Sequence, residues 1–217
     1  MSQSKTEIAY NYIKGKIVEG ELIPRTSISE EDFQEALQMS RTPIREAILQ
    51  LQNEFFLEMY PRKGIRVAPI TFELLNEVFD LRRTVEPHIF EKACGKLPTS
   101  WLLKQKNRFL DPTVPKEDIV RYAHYLEDVD SDFCGAVLQA SDNRFFVESM
   151  QLAYDHVHRI CALAKRETAV VENDLKEHIA IIDAMCNNDP KLVFSLVSKH
   201  VENTRKNVFM YFLDNNV

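Results

Sequence analysis

Apolar positions along the chain fall into two regimes. From Ser4 onward, Ile8, Tyr12, Ile13 and Ile17 recur at helical spacing until Gly20, and Ser4 with Glu7 forms a capping-box signature. After the break GELIPRTS, Ser29 with Asp32 offers a second capping signature, and Phe33, Ala36 and Leu37 are the inward positions. Three residues, QMS, then lead into SRTPIREAILQLQNEFF. Here Ile44, Ala47, Ile48, Leu51 and Phe55 share one face that must be buried. Thr42 is the expected N-cap, and Pro43 is tolerated in the first turn. Two short helices joined this tightly read as helix-turn-helix. In LEMYPRKGIRVA, Leu57 and Met59 alternate with Glu58 and Tyr60, and Ile65 and Val67 flank Arg66. With PRKG as the turn, that is a small hairpin, or wing.

From Thr71 onward the strand pattern disappears. Leu75, Val78, Val85 and Ile89 form a helical stripe that also contains Arg82. The stretch LPTSWLLKQKNRFLDPTVPKED predicts one short helix between loops. A long helix follows with the stripe Leu126, Asp130, Phe133 and Val137, Cys134 lying beside it. NRFFVESMQLAYDHVHRICALAKRE is another helix. The next opens at Asp174, where Glu177 three residues on completes a capping box, and carries Leu175, His178, Ile182 and Met185. The last opens at Asp189–Pro190 and carries Val193, Val197, His200, Thr204 and Val208. The expected fold is therefore mainly α. A winged helix-turn-helix occupies residues 1–68 and an all-helical bundle residues 69–217.

Bulk composition narrows the class. With 45% hydrophobic and 28% charged residues among 217, the chain reads as globular rather than disordered. Only 5 glycines argue against a glycine-rich phosphate loop. No apolar run approaches the roughly 18 residues of a membrane helix. The start MSQSKTEIAYNY lacks a signal core, so a cytoplasmic protein is expected. The four cysteines show no CxxC pairing and are expected to be free thiols. A net charge of −6 does not by itself suggest a nucleic-acid partner. Residues 1–68 hold nine Lys/Arg against ten Asp/Glu. Any basic surface is therefore local, and Arg41, Arg45, Arg62, Lys63 and Arg66 all fall on the third helix's front or on the wing.

Two further features carry chemistry. Arg82 on a core-facing stripe needs a partner. Glu86 one turn on would serve as an i,i+4 pair, and a bound carboxylate matched by the guanidinium fork is the alternative. Asp130, His178 and His200, on three separate helices, sit where periodicity expects apolar residues. Each alone reads as a hydrogen-bonded core residue. Together, and with Cys134 one turn from Asp130, they form a sensible ligand set for a metal in a bundle core.

The segment GELIPRTSISEEDFQEALQMSRTPIREAILQLQNE followed by RKGIRVA resembles the winged helix-turn-helix of the GntR family of bacterial transcriptional regulators, over most of residues 6–68. That resemblance implies DNA contacts from Arg41, Thr42 and Arg45 on the recognition helix and from Gly64 at the wing tip. Lys63 occupies a variable wing-tip position, and Arg66 joins it as an expected phosphate contact. Three departures stand out. Pro24-Arg25 replaces a frequent Pro-Gly, EFFL replaces EGL after the recognition helix, and Glu31 stands where a further arginine is usual. From about Thr71 to Asn215, LRRTVEP, DVDSDFCGAVLQASDN, LKEHIAIIDAM and LVSKHVENT are similar to the FCD effector domain of the FadR subfamily. The resemblance implies a divalent metal held at Asp130, Cys134, His178 and His200 beneath a small-carboxylate pocket, with Arg82 facing the ligand. Cys134 replaces the family's histidine. Zinc retained through a thiolate, loss of the metal, and a redox-sensitive site all follow as readings.

The expectation is a ligand-responsive regulator, a repressor in the first instance, that binds a palindromic double-stranded DNA operator as a homodimer. A small carboxylate in the helical domain would control it. A metal-dependent enzyme and a constitutive DNA-binding protein with a degenerate effector site are the rival readings.

Overall fold

The computed structural model describes residues 3–60, 64–111, 113–114, 118–164 and 168–215. The chain forms two compact units, 1–71 and 72–217.

The N-terminal unit runs α1 (Lys5–Val18), β1 (Ser27–Ile28), α2 (Glu30–Leu37), α3 (Arg41–Asn53), β2 (Leu57–Tyr60) and β3 (Gly64–Val67). Its helix starts follow the capping residues. The Ser4 hydroxyl accepts the Glu7 N–H while the Glu7 carboxylate accepts the Ser4 N–H, satisfying two otherwise orphaned donors. The Ser29 hydroxyl accepts from the Glu31 and Asp32 amides. The third helix starts two residues earlier than expected. Its N-cap is Ser40, not Thr42, and Arg41 begins the helix.

Core packing in this unit joins α1 to α3. Ile13 and Ile17 are buried against a face formed by Ile44, Ala47, Ile48 and Leu51. Each large aliphatic side chain buried in this way contributes about 1.5–3 kcal/mol. Phe33 of α2 is buried too, whereas Ala36 is exposed. Lys14 and Tyr10 of α1 both reach Glu54, at 3.3 and 2.6 Å, and so tie the C-terminal end of α3 to α1.

The wing hairpin forms as expected, with Leu57 opposite Val67 and Met59 opposite Ile65. Of its PRKG turn, residues 61–63 lie outside the described residues. On the other edge of β3 sits β1, a strand within the stretch expected to be a break, pairing Ser27 with Arg66 and Ile28 with Ile65. The antiparallel sheet has the order β1-β3-β2.

Two positions where the winged helix-turn-helix that the sequence resembles usually has glycine keep a glycine-like backbone. Arg25 has φ +69° and Phe55 has φ +63°. Phe55 was expected on the buried face of α3. Instead it follows the helix C-cap in the left-handed region and leaves its ring 65% exposed, while Phe56 is fully buried. A helix that must reverse into β2 within three residues needs that left-handed step, and the aromatic ring has no inward path from it.

The C-terminal unit consists of α4 (Phe72–Ala93), α5 (Thr99–Phe109), α6 (Ile119–Ala140), α7 (Arg144–Leu163), α8 (Thr168–Cys186) and α9 (Pro190–Asp214). α4 packs on α6, α7 and α9, and α8 packs on α5, α6 and α9. Phe90, Trp101 and Phe109 surround the fully buried Phe133 with ring centroids 5.8–6.4 Å away. α9 begins as its sequence dictates, with the Asp189 carboxylate accepting the Leu192 N–H and Pro190 in the first turn. α8 does not begin at Asp174. It starts at Thr168, so Asp174 and Glu177 are interior helix residues rather than a cap. Among the described residues no helix is long and apolar enough to cross a membrane.

Replacing Phe55 by glycine removes the left-handed penalty while giving up little packing. Phe55→Gly is expected to raise the unfolding free energy by about 1 kcal/mol in denaturant titration. A loss of stability would show that the exposed ring does structural work.

Candidate functional site

The first candidate surface belongs to the N-terminal unit. Arg41, Thr42 and Arg45 are all exposed on the first turns of α3, whose opposite side is buried. Arg41 donates from Nε to Glu30 Oε2 at 2.5 Å; Glu30 is largely buried on α2, so the guanidinium is held across the helix-turn-helix. That contact raises the Arg41 pKa, Glu30 being the chief cause. On the wing, Arg66 is exposed on β3 with its guanidinium 5.6 Å from the Tyr60 ring centroid. Gly64 is exposed at φ +88°, and a Cβ there would meet no heavy atom within 4 Å. The backbone at the start of β3 is therefore open to close approach by a partner. Lys63 lies outside the described residues.

The second candidate is a cavity of about 110 Å³ inside the helical unit, lined by Arg82, Asp130, Cys134, Tyr154, Asp174, His178 and His200 among others. The helices supply these groups because each occupies an inward position of an amphipathic face. The three polar interruptions at Asp130, His178 and His200 do meet one cavity, and so does Cys134.

Arg82 has a partner within the chain. Its Nε and Nη2 donate to Glu86 Oε2 and Oε1 at 2.6 and 2.9 Å, with Arg82 4% and Glu86 1% exposed. Burial opposes the charge on Arg82, but the Glu86 carboxylate outweighs it and raises the pKa. The pairing leaves the Nη1 edge as the side of the fork that remains for a ligand. The ring of Tyr154 lies 5.7 Å from the guanidinium carbon. Its hydroxyl is buried with no hydrogen-bond partner among the described residues. Leaving a hydroxyl so costs about 1–3 kcal/mol, which a ligand accepting or donating there would recover. Tyr154 was not singled out in the sequence, because an aromatic on a helix face is ordinarily core.

The four expected metal ligands share a hydrogen-bonded cluster. Asp130 Oδ1 is 2.7 Å from His178 Nε2 and accepts from Cys134 Sγ at 3.2 Å. His178 Nδ1 lies 2.8 Å from the Asp174 backbone carbonyl, and His200 Nδ1 lies 2.9 Å from Glu177 Oε2. The two rings meet edge-on at 4.5 Å. Anchored Nδ1 atoms are what ligating histidines usually show, since that bond fixes the ring with Nε2 outward. The remaining geometry fits a four-ligand centre poorly. One Asp130 oxygen serves both His178 and Cys134. Among the described residues, the donors that come mutually within 4.8 Å are those of Asp174, Glu177 and His200.

Protonation follows from the same contacts. Burial opposes charge on His178, yet the Asp130 carboxylate outweighs it and lifts the imidazole to about 9. Burial likewise pushes the Asp130 carboxyl up, and His178 pulls it back well below the ordinary carboxylate range. Burial, then the Asp130 and Glu86 charges, push the Cys134 thiol well above its usual value. A buried neutral thiol is the opposite of the exposed thiolate that redox switching requires.

Comparison with known proteins gives a consistent result over both units. Residues 5–67 match the bacterial regulatory proteins of the gntR family, and residues 77–203 match the FCD domain. The chain is 20% identical to the HTH-type transcriptional repressor RspR of Escherichia coli K12, across 95% of this chain and 90% of that protein. It is 28% identical to the gluconate operon transcriptional repressor of Bacillus subtilis, across 51% of this chain and 45% of that one. The solved structure of E. coli McbR/YncC superposes with a TM-score of 0.81 at 18% identity, covering 99% of this chain and all of that one.

The raised His178 pKa gives a pH signature. Because the folded value of about 9 exceeds the ordinary 6.5, the stabilisation is complete below about pH 6.5 and is lost as pH rises through 9. The melting temperature of the full chain is expected to fall across that interval, and the His178→Gln variant to lose most of that slope. An unchanged slope in the variant would assign the dependence elsewhere.

Proposed function

The chain belongs to the GntR family of bacterial transcriptional regulators and carries its FCD domain; from that premise we propose that it is a ligand-responsive repressor working as a cytoplasmic homodimer. Its family and relatives are transcription regulators, not enzymes, so the buried polar cluster is read as a binding site. The observation that carries the proposal is the joint presence of an arginine-bearing recognition helix and a cavity lined by Arg82, Asp130, His178 and His200, each on its own unit.

Each winged helix would read one half of a palindromic operator, since a two-fold protein meets two-fold DNA. Arg45 and Arg41 would take base edges and nearby phosphates, Arg41 exchanging its Glu30 contact for DNA. Thr42, Lys63 and Arg66 would add backbone contacts, and Gly64 would let the wing's main chain approach closely. Glu31, exposed at the start of α2, would repel phosphate where other members attract it.

The effector would be a small carboxylate. A cavity of about 110 Å³ has room for a small organic acid. Arg82 and Tyr154, both on the cavity wall, would take its carboxylate. A divalent ion, zinc first, belongs to the same reading, because a positive centre in a cavity lined by several carboxylates favours an anionic ligand. Its action would be a population shift. Effector binds one arrangement of the dimer more tightly, and that arrangement no longer matches the half-site spacing.

An operator selected from a random duplex library and followed by fluorescence anisotropy tests both halves of this proposal. Arg45→Ala is expected to weaken operator binding by about 1–3 kcal/mol, roughly 5- to 150-fold. A panel of short-chain carboxylates should contain at least one that releases the operator from the wild-type protein and loses that effect in Tyr154→Phe. Operator affinity unaltered by Arg45→Ala would refute the proposed contact. Affinity unaltered across the panel would instead favour constitutive DNA binding.

A further inference from the structure

Of the 5 glycines in the chain, Gly20, Gly64 and Gly95 have positive φ, and that backbone accounts for them. Gly15 and Gly135 have no such need. Both lie inside helices, α1 and α6, and neither has positive φ. A glycine within a helix lowers the folding equilibrium about four- to fivefold relative to alanine. With no conformational reason for it, the remaining reasons are a collision that a side chain would suffer or a ligand that comes close to the bare backbone.

Collision explains neither residue. A Cβ at Gly15 would reach only ordinary contact with Glu19 Oε1, at 4.0 Å, and one at Gly135 would meet no heavy atom within 4 Å. The two differ in what lies in front of them. Gly135 is on the wall of the cavity in the helical unit, so the open space beside it is that cavity. Gly15 belongs to the other unit and lines no part of it.

Exposure gives the cavity a depth. Arg82 and Cys134 are 4% and 7% exposed and form its inner end. Ser131, one turn before Gly135 on α6, and Gln151 on α7 also line it but are exposed, so they mark its mouth. Gly135 is half-buried, between the two levels. A molecule held at the inner end and long enough to reach the mouth must pass over Gly135.

We propose that Gly135 sets the size of acid that the cavity accepts. Its bare backbone leaves room for the distal end of a ligand whose carboxylate lies deeper, on Arg82 and Tyr154. This rests on the carboxylate reading of the cavity and adds the residue that selects among carboxylates. Ser131 and Gln151 offer a hydroxyl and an amide at the mouth, which match a hydroxylated tail rather than an aliphatic one. An acid too short to reach Gly135 gains nothing from the glycine, whereas a longer one is crowded by any side chain there.

Full-length protein and three hydroxy acids of increasing length, glycolate, malate and gluconate, provide the test. Thermal melts and titration calorimetry are the readouts. Without acid, Gly135→Ala is expected to melt about 2–4 °C above wild type, as helix propensity alone dictates. It should bind the longer acids about tenfold or more weakly and glycolate within about threefold of wild type. A glycine kept for the fold alone would not give higher stability together with a loss of binding graded by ligand length. Gly15→Ala should keep wild-type affinity for every acid that wild type binds. A Gly135→Ala variant that melts below wild type would overturn the proposal, as would one that binds all three acids unchanged or loses glycolate equally. Wild-type protein that binds only glycolate would overturn it too. Wild-type protein that binds none of the three contradicts the carboxylate reading itself, and the role of Gly135 falls with it.

Discussion

The helical unit is organised by the need to pair buried charge. Its cavity draws ionisable side chains from α4, α6, α7, α8 and α9, and the buried ones are partnered: Arg82 with Glu86, Asp130 with His178, and His200 with Glu177. Removing one member of a buried pair costs about 3–5 kcal/mol, because the other charge is left without compensation. The Arg82–Glu86 pair lies within α4, whereas the Asp130–His178 and Glu177–His200 contacts join α6 to α8 and α8 to α9. These two fix helix register more sharply than the surrounding aliphatic contacts can, since apolar side chains repack where polar partners must meet. The aromatic wall of Phe90, Trp101, Phe109 and Phe133 then closes one flank, with Phe109 stacked on His178 at 5.0 Å.

In the N-terminal unit the corresponding constraint is geometric. α3 must be buried on one side and bare on the other, and it must turn into the wing at once. The apolar face from Ile44 to Leu51 supplies the first requirement. Left-handed residues supply the turns, and Arg25, Gln38 and Phe55 among them are not glycine. The chain therefore carries strain at three turns of a unit whose fold is otherwise strongly specified. Glu30 holds Arg41 before DNA arrives, which sets the direction of the first arginine and makes its release part of binding.

Much of this was legible in the residues. Capping serines, the apolar face of α3 and the alternation in the wing are local signals, and local signals survive folding unchanged. Asp130, His178 and His200 were visible as polar breaks in apolar stripes, and breaks of that kind point inward whatever the topology. Other features had no local mark. β1 is two residues long, too short for an alternation, and exists only because β3 offers an edge. The positive φ of Phe55 comes from the turn it serves rather than from its own preference. Asp174 and Glu177 imitate a helix start, and only the observed beginning of α8 at Thr168 turns them from a cap into one face of a cluster. Whether Arg82 met Glu86 or a ligand was open on sequence alone. The structure puts two of its nitrogens on Glu86 and still leaves the residue on the cavity wall.

The proposed regulation is at bottom a coupling free energy between cavity and operator, and coupling is reciprocal. Isothermal titration of the carboxylate that best releases DNA, into the protein alone and into the protein–operator complex, measures it directly. The account predicts weaker carboxylate binding to the complex, by the same factor by which the carboxylate weakens operator binding. Equal affinity in the two titrations would contradict it.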